Sequence, residues 1–166
     1  MKAIRNAKEL DGILIKILKD VIQEVAEKIN DKLRARIDED VYVNRNSYYH
    51  DGSRQPTYQF RESVTTDEVK VDGKEVSTKV YHDANKMELN VDTFLHGSRH
   101  WEHGEDVREL LPKIINDGLS GNLFGANQWW QEPRPYWTNT IKELESQGLI
   151  KKWFKEAMIK RGFKVG

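Results

Sequence analysis

The residues best equipped for chemistry are three histidines in the stretch HGSRHWEH: His96, His100 and His103, spaced by four and three. On a helix that spacing would bring their rings to one face, and neutral imidazoles are good zinc ligands. Glu102, Glu105 and Asp106 lie close by. Gly97, Ser98 and Gly104 instead give the stretch the character of a loop, where helical spacing fixes no geometry. The metalloprotease pattern, with glutamate directly after the first of two histidines four apart, is missing. Two readings therefore stand: a metal site that would serve a nuclease-like enzyme, and a surface histidine cluster. Other chemistry is scarcer still. The chain has no cysteine, which excludes disulfides, thiolate metal sites and cysteine nucleophiles. The glycines from Gly118 to Gly125 lack the lysine and spacing of a phosphate loop, and there is no Gly-x-Ser-x-Gly elbow. Carboxylate pairs such as Asp38 and Asp40 nominate nothing in a chain with 27 acidic residues. The expectation is a protein with neither enzymatic activity nor cofactor.

A different kind of site is written in QWWQEPRPYW, Gln128 to Trp137, which holds three of the five tryptophans and two of the four prolines. A buried strand would avoid the prolines and an ordinary surface loop would avoid the tryptophans. Trp, Tyr and Arg anchor protein interfaces, and prolines keep a loop rigid so that docking costs less entropy. Trp129, Trp130, Arg134 and Tyr136 are therefore candidate interface residues, against the alternative that the two tryptophans fold back as lids on the core. Trp137 belongs to the apolar stripe of the helix that follows. A second candidate face is basic: Lys151, Lys152 and Lys155, with Lys160, Arg161 and Lys164 after them, oppose only Glu156. It would suit head-to-tail contact between subunits, a solvated helix face or, in a small regulatory protein, DNA or a host factor. The overall balance of 27 basic against 27 acidic residues counts against a generic polyanion binder.

These residues need a frame, and 166 residues suffice for one domain, read as 1–166. No apolar run is long enough to cross a membrane, and no signal-peptide core is present. From Lys8 to about Asp38 the residues Leu10, Leu14, Ile17, Val21, Val25, Ile29, Leu33 and Ile37 recur every three or four positions. That predicts one amphipathic helix about 45 Å long. Val41 to Pro56 reads as a loop, whose Tyr and Arg residues could stack on and pair with nucleic acid. Val64 to Val71 and Lys74 to Asp83 then flank Asp72-Gly73, a pair suited to a type I′ hairpin. Val71 would face Lys74, Val69 would face Val76, and Val69, Val71, Val76, Thr78 and Val80 would share an apolar face under the helices. Tyr58 and Phe60 before the hairpin, and Met87, Leu89 and Val91 after it, would add two strands. A helix from about Glu105 to Asn116 follows, flawed by Pro112, which kinks it or marks its start. The last helical region starts at Pro135, breaks at Gln147-Gly148, and ends at Gly162. The fold class is α+β: a long N-terminal helix and C-terminal helices on a small antiparallel sheet with a central hairpin.

LLPKIINDGLSGNLFG (Leu110 to Gly125), PRPYW (Pro133 to Trp137) and IKKWFKEAMIKRGFKV (Ile150 to Val165) together resemble the neck, or head–tail joining, proteins of long-tailed phages, especially those of Gram-positive hosts. TYQFRESV (Thr57 to Val64) and VYHDANKMELN (Val80 to Asn90) are similar to that family's entry into its sheet and its following strand and turn. The family often has Arg-Thr-Gly before the first strand, where this chain has Gln55-Pro56-Thr57-Tyr58. The resemblance implies a structural virion subunit, for joining head to tail or completing the tail. It implies a ring of copies that touches connector and tail proteins, with DNA only passing through. It also implies a place in the virion neck, with the host cytoplasm as the site of assembly.

Overall fold

The computed structural model describes residues 6–42, 58–87, 107–118 and 132–165. The predicted long helix is α1, Ala7–Ile37, 31 residues. Asn6 caps it, its side-chain oxygen accepting from the Glu9 amide at 2.9 Å. A single wide turn, Asp38–Tyr42, continues it. Burial follows the predicted stripe in the second half of the helix, where Val21, Val25, Leu33 and Ile37 are buried, whereas Leu10 is exposed. The remaining elements are α2 (Gln59–Glu62), β1 (Val64–Thr66), β2 (Lys70–Asp72), β3 (Glu75–Ser77), β4 (Val80–His82), α3 (Val107–Asp117), α4 (Tyr136–Ser146) and α5 (Leu149–Lys160). The α+β class therefore holds, and the described residues form two antiparallel sheets of two strands each, β1–β4 and β2–β3.

The described residues form two compact units. The first comprises 6–31, 66–80 and 143–165. Val21, Val25, Ala26, Leu144 and Ala157 form its buried centre. α1 and α5 are tied together at two levels. Glu24 takes Arg161 at 3.0 Å and Lys160 at 3.8 Å, and Lys28 meets Glu156 at 3.5 Å with its ammonium over the Trp153 ring. The Arg161 hydrogen bond, with smaller help from Lys160 and Lys28, holds the Glu24 carboxyl below the usual carboxylate range although burial pushes the other way. Gly148 and Gly162 take the positive φ that only glycine adopts cheaply, +59° before α5 and +89° after it.

The hairpin in this unit departs from the expected register. Lys70 pairs with Ser77, Val71 with Val76 and Asp72 with Glu75, so the turn residues are Gly73 and Lys74. A type I′ turn needs positive φ at both central residues, whereas type II′ needs it only at the first. Gly73 has φ +59° and Lys74 is not among the residues of positive φ, which is the II′ pattern with glycine in the demanding place. The ribbon is also interrupted. The Asp67 amide bonds the Lys79 carbonyl at 2.9 Å, so Glu68 and Val69 stand against Thr78 alone, in the manner of a β-bulge. Thr78 Oγ1 donates to the Asp67 carbonyl at 2.7 Å, a side-chain rung where the ladder breaks. Val71 is left 41% exposed, not covered by helices.

The second unit comprises 32–42, 58–65, 81–87, 107–118 and 132–142. Leu33, Ile37, Val41, Phe60, Val64, Met87, Leu111, Ile115 and Tyr136 are its core. Tyr58 and Phe60 do not form the expected strand. Phe60 sits in the single helical turn α2, and Tyr58 before it has φ +56°, the left-handed region. That conformation is costly for tyrosine and is held by its surroundings: Tyr42 meets its ring edge-on at 5.0 Å, and the Arg61 guanidinium lies over it at 4.8 Å. Arg61 also binds both Asp38 carboxylate oxygens at 3.2 Å. Met87 is buried beyond a short 3₁₀ turn rather than in a strand, and Leu89 and Val91 lie outside the described residues.

Pro112 lies inside α3 and does not start it, since the helix begins at Val107. The C-terminal end of α3 receives α4. Asn116 Oδ1 accepts from the amides of Trp137 and Thr138, both at 3.1 Å, and so caps two donors of the first turn of α4 from a neighbouring helix. The Arg134 amide bonds the Ile115 carbonyl at 2.8 Å, and Asn139 reaches Asp40 at 3.1 Å. Tyr136, Thr140 and Leu144 form the buried stripe of α4, and Ile141, expected on it, is exposed. Two substitutions test these devices by urea unfolding. Asn116→Ala is expected to cost about 1 kcal/mol. Tyr58→Ala is expected to be less stable than Tyr58→Gly by about 1 kcal/mol, because only glycine tolerates that φ without a steric penalty.

Candidate functional site

Between β4 and α4 in the second unit, three polar side chains meet in an apolar surround. Ser63 is fully buried at the end of α2, His82 closes β4, and Tyr136 opens α4 with 0% exposure. Ser63 Oγ lies 2.7 Å from His82 Nδ1 and 2.7 Å from the Phe60 carbonyl, and the Tyr136 hydroxyl lies 2.9 Å from His82 Nε2. The Tyr136 hydroxyl is also 3.5 Å from the Pro112 carbonyl, a longer approach, and counting protons assigns the three short contacts. The Ser63 hydroxyl has one hydrogen and the Phe60 carbonyl can only accept, so Ser63 donates there and receives His82 Nδ1–H. His82 Nε2 then accepts from Tyr136. The result is a directional relay, Tyr136 to His82 to Ser63 to Phe60, with the imidazole neutral.

Packing reinforces the relay. Phe60 stacks on the His82 ring at 4.5 Å and 17°, and Tyr136 meets Phe60 edge-on at 5.5 Å. Burial pushes the His82 pKa down to about 4, against a smaller opposing pull from the Phe60 carbonyl. Burial, with a lesser contribution from Asp117, raises that of Tyr136 well above the ordinary phenol value. A serine hydroxyl beside an imidazole is also how a nucleophile meets its base. Here Ser63 is fully buried and gives its proton to a backbone carbonyl, and Nε2, where a proton would leave, is occupied by Tyr136. The arrangement locks the core.

The residues singled out by the sequence fall in several places. Tyr136 corrects the expected interface: full burial removes it from any surface, because its ring and hydroxyl complete the relay. Arg134 is half-buried, its backbone fixed to α3. The Arg134, Trp137 and Thr138 amides thus tie the segment that opens α4 to Ile115 and Asn116. Trp129 and Trp130 lie outside the described residues, as do His96, His100 and His103. Among the described residues no group of three or more His, Asp or Glu is arranged to hold a metal, and no helix is long and apolar enough to cross a membrane. Lys151 and Lys152 are exposed on α5 and Lys155 is half-buried. The basic run is shorter in space than in sequence, since Arg161 and Lys160 spend their charge on Glu24. Ile150 and Ile159 stand exposed on α5, the latter at 57%.

By fold this is a small α+β protein in which Ser63, His82 and Tyr136 form a hydrogen-bonded cluster within the second unit. The chain belongs to the YomN family, whose model matches residues 6–160, and that family is of phage type. Neither a curated protein nor a solved structure matches the chain.

Sequence reasoning missed Ser63 and His82. The usable signal was the alternation along β4: from Val80 the inward positions continue to His82. A pH prediction follows. In the folded protein His82 takes its proton only near pH 4, while in the unfolded chain it does so near 6.5. Stability from this group is therefore complete above pH 6.5 and is lost as the pH falls towards 4, by about 2 kcal/mol at pH 5. Urea unfolding at pH 7 and pH 5 checks it: the drop should shrink by that amount in His82→Gln. Tyr136→Phe, which leaves Nε2 without its donor, should cost about 1–3 kcal/mol at pH 7.

Proposed function

We propose that the chain is a structural virion protein of a tailed phage, a neck subunit that joins head to tail or completes the tail. It works without catalysis, through protein–protein contacts in a ring of copies that also touches connector and tail proteins. Its place is the virion neck, reached by assembly in the host cytoplasm. The observation that carries the reading is membership of a phage-type family over nearly the whole chain. The resemblance of LLPKIINDGLSGNLFG and IKKWFKEAMIKRGFKV to neck proteins supports the finer assignment.

Trp129 and Trp130 stand as contact residues by their type, and on α5 Ile150, Lys151, Lys152 and Ile159 are exposed. Aliphatic groups beside lysines suit a neighbour that offers apolar pockets edged with carboxylates.

Deletion of the gene from its phage, followed by electron microscopy of the lysate, tests the role. DNA-filled heads beside separate, complete tails are expected, and normal infectious virions would overturn the reading. Complementation with Lys151→Glu/Lys152→Glu tests the surface. Both side chains are exposed, so the change in stability should stay within about 0.5 kcal/mol, while the titre of infectious particles falls at least about tenfold. An unchanged titre would remove α5 from the interface.

A further inference from the structure

We propose that the outer edge of β2 is a self-recognition site, at which two copies of this chain pair antiparallel through Lys70-Val71-Asp72. Neither the virion reading nor the family match is needed for this.

Three observations converge. First, among the described residues β2 and β3 form a sheet of two strands, and β2 is exposed at every residue, with Val71 at 41%. Second, the ladder sets which backbone groups face outward. Asp72 and Glu75 flank a two-residue turn, which makes them the hydrogen-bonded kind of pair. Bonds alternate along an antiparallel ladder, so the N–H and C=O of Val71 point away from β3, to the open edge. A second β2 brought antiparallel to the first, on a two-fold axis between the two Val71 residues, exchanges both of those bonds.

Third, the side chains fit that axis. Antiparallel pairing about Val71 sets Lys70 of each copy opposite Asp72 of the other, a favourable cross-strand pair made twice. On one face four valines form a row, Val76 and Val71 of one copy followed by Val71 and Val76 of the second. On the other face the like-charged neighbours Asp72 and Glu75, directly opposed within each hairpin, gain the second copy's Lys70 beside them. The β3 edge offers no such match. Paired with itself about Val76, it would set Glu75 against Ser77, and Val76 is already half-buried.

A short strand carrying lysine is also a common way to blunt an edge against aggregation. Lys70 keeps that effect against foreign strands and meets its complement only in a second copy. The patch is small, well under the roughly 1,200 Å² that stable interfaces bury, so pairing in dilute solution is weak and depends on concentration.

The native chain has no cysteine, so single thiols report the geometry directly. Val71→Cys, Val76→Cys and Lys70→Cys are to be compared in the full chain under mild oxidation. Val71→Cys should form a disulfide-linked dimer much faster than the other two, because only residue 71 faces its own copy across the axis. Equal rates at residues 71 and 76, or no cross-linking at 71, would overturn the proposal. Sedimentation velocity over a concentration series supplies the charge test. Lys70→Glu should weaken self-association at least about tenfold, and Lys70→Asp/Asp72→Lys, which exchanges the two partners, should restore it. Failure of the exchange to restore it, with folding unchanged by circular dichroism, would also overturn it.

Discussion

The relay through His82 is the constraint on which the second unit depends. An imidazole largely withdrawn from water tends to shed its charge or find a counter-charge, and here partial burial favours the neutral ring. A neutral ring still carries one donor and one acceptor, and each unmet group would cost free energy. Ser63 and Tyr136 meet both, and they come from α2 and α4, far apart in sequence. Each side chain can satisfy its partner only if the backbone carrying it is correctly placed. The one-turn helix α2, the end of β4 and the entry of α4 are thereby fixed against each other.

That requirement explains features that look unrelated. Tyr58 takes a left-handed backbone because the chain must enter α2 at an angle that presents Phe60 and Ser63 inward, and contacts from Tyr42 and Arg61 offset the cost. Asn116 caps the first turn of α4, the turn from which Tyr136 reaches His82. In the first unit the organising contact is Glu24, which gathers Arg161 and Lys160 onto α1. This leaves Lys151, Lys152 and the exposed aliphatic residues of α5 as surface.

Much of the fold was legible in the residues because long periodicity is a strong signal. Eight apolar positions at helical spacing located α1 to within a residue or two, and Gly148 and Gly162 marked the ends of α5 by a conformation other residues avoid. The hairpin was legible in existence and not in register, since Asp72-Gly73 and Gly73-Lys74 both offer a glycine to a tight turn. Only the φ of each residue separates the two choices. Tyr136 shows the limit of composition: aromatic rings among prolines look alike whether they await a partner or already have one. His82 shows another. A single histidine in a strand announces nothing until Ser63 and Tyr136, 19 residues before it and 54 after, are brought to its two nitrogens.

The protonation state of His82 in the folded protein tests this account most directly. Long-range ¹H–¹⁵N correlation spectra of the full chain, recorded from about pH 7 down to about pH 5, report both ring nitrogens. The account predicts that the His82 ring stays neutral throughout that range, with its proton on Nδ1 facing Ser63. A ring that takes up its second proton near pH 6.5 while the chain remains folded, or that carries its proton on Nε2, would contradict it.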